Sequence, residues 1–83
     1  MIYYVYMLKS KSIKPVTYVG YTNNLKKRLF LHNNSKGAKF TRGRKWKIVY
    51  KKKYLSKSIA MKEEYKLKKN YKLRNFIKKN INI

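Results

Sequence analysis

Residues 18–32 (YVGYTNNLKKRLFLH) carry a phenol at Tyr18, a guanidinium at Arg28 and an imidazole at His32. On a helix, Leu25, Leu29 and His32 recur at i, i+4 and i+7 with Arg28 beside them, so one stripe mixes two leucines with two polar heads. That mixture suits a phosphate under attack. An arginine fork matches two phosphate oxygens, and a phenol or an imidazole can carry a proton. Each residue also has a plainer use: a tyrosine on an amphipathic strand, a phosphate clamp without catalysis, a satisfied helix-face histidine.

The chain has two acids, and they are adjacent at Glu63 and Glu64. At about 100° per residue, Glu64 falls among Ala60, Met61, Tyr65 and Leu67, in the middle of an apolar arc. Glu63 falls nearer the margin, by Ile59 and Lys66, and is expected to face solvent. A carboxylate pointing inward needs a cation or hydrogen bonds to offset its lost hydration. A lysine salt bridge meets that need, and so does a divalent metal. Mg²⁺ often takes only one or two protein carboxylates and fills its other positions with water and substrate phosphate, so one acid is enough.

The elements that must position these groups follow from periodicity. Residues 1–10 (MIYYVYMLKS) are aromatic and β-branched and predict a strand, with Tyr4, Tyr6 and Leu8 on one face and Tyr3, Val5 and Met7 on the other. Pro15 marks a turn, and residues 16–21 return antiparallel as a hairpin. The chain breaks at Gly20, and Thr22 or Asn23 is the expected N-cap of a helix running to about Asn33. Residues 34–44 (NSKGAKFTRGR) predict a mobile cationic loop, in which Lys36, Lys39, Arg42 and Arg44 contact nucleic-acid backbone and Phe40 offers a stacking platform. Residues 45–54 predict a third strand with Trp46, Ile48 and Tyr50 on its buried face and lysines on the other, which also discourage edge pairing. Ser56 or Ser58 caps a second helix to about Lys69. Residues 70–80 predict a third, with Leu73, Phe76 and Ile77 inward and a frayed tail after it.

Eighty-three residues are expected to make one domain with a small core. The absence of cysteine excludes disulfides and thiolate metal sites. The longest apolar run, Ile2 to Leu8, is too short to span a bilayer and has no charged leader before it, so a cytoplasmic protein is expected. Twenty-four Lys+Arg against two Asp+Glu give a formal charge of +22. A field of that sign gathers polyanions, and nucleic acid is the first candidate, ahead of an anionic membrane surface. The excess of Lys, Asn, Ile and Tyr is also what AT-rich coding produces, so the charge by itself says nothing about catalysis.

Four blocks in order, Tyr4-Val5-Tyr6, YVGYTNNLKKRLFLHN, GAKFTRGR and AMKEEYKLK, resemble the GIY-YIG nuclease domain over about residues 3–78. The likeness is to its small single-domain bacterial members and to the catalytic domain of the Slx-type endonucleases. Tyr4 stands where the family name has glycine, and the zinc-binding domain of the larger Slx-type enzymes has no cysteines here to build it. The resemblance implies an α+β fold, a three-stranded antiparallel sheet flanked by helices in the order β-β-α-β-α-α. It also implies catalytic roles for Tyr6, Tyr18, Arg28, His32 and Glu64, with Glu64 holding Mg²⁺ or Mn²⁺. Some members add an asparagine beyond the glutamate; Asn70 and Asn75 are nearby, and neither falls in the expected place.

The reaction so implied is hydrolysis of a DNA phosphodiester, in branched or duplex DNA, directed by structure rather than by base sequence, of a repair or recombination type. Tyr18, Tyr6 and His32 are the candidate bases, Tyr18 first, with His32 alternatively tuning a phenol. An unperturbed phenol titrates near about 10, and neighbouring positive charge favours the phenolate. The competing readings are a non-catalytic basic module that grips nucleic acid on the same scaffold, and a ribosome-associated basic protein. No motif names a protein partner or a dimer interface.

Overall fold

Alternation of aromatic and β-branched residues with small or polar ones builds three strands, β1 (Tyr3–Ser10), β2 (Thr17–Thr22) and β3 (Trp46–Tyr54). Helices α1 (Leu25–Asn33), α2 (Lys57–Lys69) and α3 (Tyr71–Asn80) complete the order β-β-α-β-α-α, with one 3₁₀ turn at Lys39–Thr41 before β3. This computed structural model describes residues 1–80; the expected frayed tail, 81–83, lies outside the described residues. The sheet is antiparallel with strand order β2-β1-β3, so β1 is central and β2 and β3 are edges. The fold is α+β, as the sequence predicts.

The two faces of β1 support two separate cores. Val5 and Met7 pack with Val19, Ala60, Leu67 and Ile77, which places α2 and α3 on that face. Tyr6 and Leu8 pack with Trp46, Leu25 and Leu29, which places α1 on the other. The predicted facing of β1 is therefore correct. That of β3 is not: a bulge opposite Met7/Leu8 pairs Met7 with Tyr50 and Leu8 with Ile48, leaving Val49 as the extra residue. Trp46 and Ile48 join the α1 core, whereas Tyr50 turns to the α2 side.

Other boundaries shift for local reasons. β2 stays paired with β1 through Thr22, so α1 starts later and its cap is Asn24, whose Oδ1 accepts from Lys27 N–H at 3.1 Å, rather than Thr22 or Asn23. Ser56, not Ser58, caps α2 by accepting from Ile59 N–H at 3.1 Å. Asn70 caps α3 by accepting from Leu73 N–H, which gives it a structural use. Of the three α3 residues expected inward, Ile77 is buried, whereas Leu73, which borders a cleft, and Phe76, about 100° round the helix from Ile77, are exposed.

The segment 34–44 is tied down rather than loose. Ser35 adopts the left-handed conformation (φ 58°), and its Oγ accepts from Gly43 N–H at 3.0 Å. Trp46 Nε1–H donates to Thr41 O at 3.0 Å, and Lys36 N–H to Leu31 O at 2.8 Å. Charge composition predicted mobility, but the buried Trp46 and Thr41 anchor the segment from beneath. Lys36, Lys39, Phe40, Arg42 and Arg44 stay exposed on it.

Candidate active site

Register decides which side chains meet. β1 and β2 pair Tyr6 with Gly20 and Leu8 with Tyr18, so Tyr6 and Tyr18 are diagonal neighbours on the α1 face, their ring centroids 6.5 Å apart. Gly20 is the opening that admits the Tyr6 phenol. A Cβ there would stand 2.6 Å from Tyr6 Oη and 2.8 Å from its Cζ. Tyr6 is 1% exposed and has nowhere to retreat. Gly20→Ala is expected to cost about 1–3 kcal/mol of stability, measured by urea unfolding, because overpacking a filled site forces ring or strand to move.

His32 enters the same corner from the last turn of α1. Its ring centroid lies 5.9 Å from Tyr6 and 5.0 Å from Tyr18. Nε2 is 2.9 Å from Tyr6 Oη, and Nδ1 is 2.9 Å from Thr41 Oγ1. Gly37 presses directly on the imidazole, where any Cβ would overlap Nδ1. Thr41 and Gly37 are site residues that sequence reasoning missed. Their only signal was their place inside the block GAKFTRGR.

Burial dominates the electrostatics. It pushes the Tyr6 phenol up to about 12, with the adjacent Arg28 opposing, and it pulls the His32 imidazole down to about 4, with Arg28 adding to the effect. His32 is therefore neutral at pH 7. Its folded-state value lies below the unfolded one, near 6.5, so the unfolded chain binds the proton more readily. Stability is fully present above about pH 6.5 and falls as the pH drops toward about 4. About 2 kcal/mol is expected to be lost by about pH 5 and roughly 3 by about pH 4. The chain has one histidine, so urea unfolding of wild type and His32→Gln across this range isolates the effect.

The Arg28 guanidinium stands beside both phenols, and hydrogen bonding to Tyr6 first, then the negative character of both rings, holds its pKa above the usual arginine value. Its Nε is buried with no hydrogen-bond partner among the described residues. The other such atom, Arg74 Nε, belongs to a guanidinium stacked 4.9 Å over the Tyr71 ring. Arg28 also lines an open cleft with Tyr3, Tyr21, Thr22, Asn23 and Lys57. Phe40 covers the outer side of Tyr18, stacked at 6.3 Å and 20°, with Arg44 5.8 Å over the Phe40 ring.

The glutamates lie on opposite flanks of the line Ala60–Leu67 that faces the sheet, Glu64 about 40° to one side and Glu63 about 60° to the other. Met61 and Tyr65, expected to share the buried arc, are exposed, so the arc is narrower than predicted. The Glu64 side chain is 16% exposed, and its charge is felt at the Tyr6 phenol. Glu63 lies against the cleft formed by Tyr50, Lys52, Tyr54, Leu67 and Leu73 instead of facing open solvent. Each pairs with a lysine on its own helix, Glu63 with Lys66 at 3.2 Å and Glu64 with Lys68 at 3.4 Å.

No group of three His, Cys, Asp or Glu side chains that could hold a metal occurs among the described residues. One half-buried carboxylate still fits a hard cation such as Mg²⁺, which tolerates a single protein carboxylate if water and phosphate complete its shell. Glu64 offers that donor, with one oxygen toward Lys68 and the other without a described partner.

A search against family models matches the GIY-YIG catalytic domain over residues 2–80. The chain belongs to the GIY-YIG family. GIY-YIG domains are in general endonucleases, act on DNA and depend on a metal ion. Among curated proteins, the chain is similar to UPF0213 protein OB0043 of Oceanobacillus iheyensis, 49% identical over 77% of this chain and 73% of that protein. It is likewise 49% identical to UPF0213 protein CPE1444 of Clostridium perfringens over 75% of this chain and 66% of that protein. Among solved structures, the solution NMR structure of UPF0213 protein BH0048 from Bacillus halodurans matches with a TM-score of 0.52 and 35% identity. That match covers 96% of this chain and 86% of the other. Of the residues named from sequence, Tyr6, Tyr18, Arg28 and His32 lie side by side, and the charge of Glu64 is felt at Tyr6.

Proposed function

We propose that this GIY-YIG protein is a divalent-metal-dependent DNA endonuclease directed by DNA structure rather than by base sequence. The observation that carries the reading is Arg28: a buried, unpartnered guanidinium Nε beside two phenols. An orphaned buried donor is costly, and native structures keep one where a ligand completes it. A phosphodiester oxygen is the fitting acceptor.

Arg28 grips the scissile phosphate with its fork and stabilises the charge that develops on it. Glu64 would hold Mg²⁺ or Mn²⁺, and a cation there supplies Lewis-acid stabilisation of the phosphate and its leaving oxygen. Tyr18 is the base. It is half-buried at the mouth of the site, whereas Tyr6 is sealed beneath it and both nitrogens of His32 are occupied. Tyr18 gives its own proton to solvent, water attacks in line, the Tyr18 phenolate takes the water's proton, and the leaving oxygen is protonated from solvent. Tyr6 and His32 support Arg28 from below.

Lys36, Lys39, Arg42 and Arg44 extend a positive surface beside the site, and Phe40 presents a half-exposed ring. Such contacts read backbone and shape. A repair or recombination substrate with an exposed branch fits that surface. The test is a cleavage panel of linear duplex, flap and junction DNA with Mg²⁺ or Mn²⁺. Metal-dependent cleavage favouring branched DNA is expected; binding without cleavage under every metal would make the protein a gripping module instead.

A further inference from the structure

The fully buried His32 ring bonds through both nitrogens, and a neutral imidazole has one proton to place between them. Ring positions alone do not say which nitrogen holds it. The Thr41 hydroxyl does. Its Oγ1 lies 2.8 Å from the Ala38 carbonyl oxygen, an atom that only accepts, so the single hydroxyl hydrogen points there. The same Oγ1 accepts from Ala38 N–H at 3.2 Å. Toward His32 it has only a lone pair to offer, so Nδ1 carries the proton. Nε2 is then bare and accepts the Tyr6 hydroxyl hydrogen. The Tyr6 oxygen is left with lone pairs, available to the neighbouring guanidinium of Arg28, a group that only donates.

The bonds therefore run one way, from Tyr6 to His32, to Thr41, to the Ala38 carbonyl, with the Arg28 guanidinium beside the Tyr6 oxygen at the head. We propose that Thr41 is a positioning residue for Arg28, acting by fixing the Nδ1–H tautomer of His32. With the opposite tautomer, His32 Nε2–H would point at the Tyr6 oxygen and compete with the guanidinium for its lone pairs. The phenol hydrogen would have to turn elsewhere, toward a group that itself only donates. Chains with one consistent direction polarise each link and strengthen it. Gly37 seats the ring against this chain, and Trp46 Nε1–H holds the Thr41 carbonyl. The anchoring residue lies among Lys36, Lys39, Arg42 and Arg44, so the segment placed against the DNA backbone also orients the arginine at the reacting phosphate.

The kinetic part of the test rests on the nuclease reading; the spectroscopic part does not. Thr41→Val keeps the shape and removes the hydroxyl, and Thr41→Ser keeps the hydroxyl. Nitrogen-15 NMR of the single histidine, in free protein near neutral pH, reads the tautomer directly. The wild type and Thr41→Ser are expected to show Nδ1 protonated and Nε2 bare. Thr41→Val is expected to shift protonation toward Nε2 and to speed solvent exchange of the Arg28 guanidinium N–H groups. On cleavable DNA, kcat falls about 10–100-fold in Thr41→Val with KM within about twofold, and Thr41→Ser restores it.

A wild-type spectrum with Nε2 protonated overturns the proposal. So does a Thr41→Val protein with an unchanged tautomer, or a kcat loss that Thr41→Ser does not restore. If Thr41→Val does not fold, the wild-type and Thr41→Ser spectra decide. If no form of the protein cleaves DNA, the nuclease reading fails, and the tautomer and the Arg28 exchange rates still decide the role of Thr41.

Discussion

Glu64→Gln is expected to reduce metal-dependent DNA cleavage by at least about a hundredfold while duplex binding survives, because the carboxylate supplies charge to a metal and not to the DNA. The substitution keeps the shape of the side chain and removes its charge. The loss should appear in kcat and kcat/KM alike, as for an interaction made at the transition state. Binding at fixed salt should hold or tighten, since the protein gains one net positive charge. A second readout needs no turnover: added Mn²⁺ should broaden the NMR signals of residues around Glu64 in the wild type and not in the variant. Glu63→Gln is the internal control. Its side chain lies on the other flank of α2, beside Tyr54, and cleavage should stay within about twofold of wild type. Equal losses in both variants would point to a fault in α2 rather than to a metal site.

Arg28→Ala is expected to cost about 10²–10³ in kcat, the usual scale for removing a preorganised donor from a developing oxyanion. Arg28→Lys should recover little of it, because an ammonium lacks the fork and cannot bond a phosphate and a phenol in fixed directions. The same variant has a signature in free protein. Arg28 is the second cause, after burial, of the depressed His32 pKa, so its removal should move the His32 titration upward without returning it to the ordinary value. Acid-induced loss of stability should still begin below about pH 6.5, the unfolded value, but should level off above pH 4 and be smaller, since the folded and unfolded values lie closer together. A cleavage rate near wild type in Arg28→Ala would remove the guanidinium from the reaction and leave the protein as a binding module.

Much of the fold was legible because its signals are local. Alternation in residues 3–8 assigned both faces of β1, and the leucine spacing at 25 and 29 assigned the buried face of α1, whereas Gly20, read as the break, lies within β2, which stays paired through Thr22. The errors came where a distant partner overrides local pattern. Tyr50 shares the alternation of Trp46 and Ile48, yet a bulge against β1 turns it to the opposite face. Phe76 is as apolar as Ile77, yet it stays exposed while Ile77 is buried, because the two lie about 100° apart round α3. Glu63 looked marginal on a helical wheel, and α3 and β3 together build a cleft over it.

The sequence by itself determined the family and the order of elements and put forward Tyr6, Tyr18, Arg28, His32 and Glu64 as candidates, since residue type, spacing and periodicity are properties of the chain. What surrounds each of them was decided only in three dimensions. Whether a phenol meets water depends on what covers it, and Tyr6 is sealed by Gly20 and His32 while Tyr18 reaches the mouth of the site. Where a proton sits on His32 depends on Thr41 and, through it, on the carbonyl of Ala38. Hydrogen bonds have direction, and that direction is fixed by partners that the chain brings together only on folding.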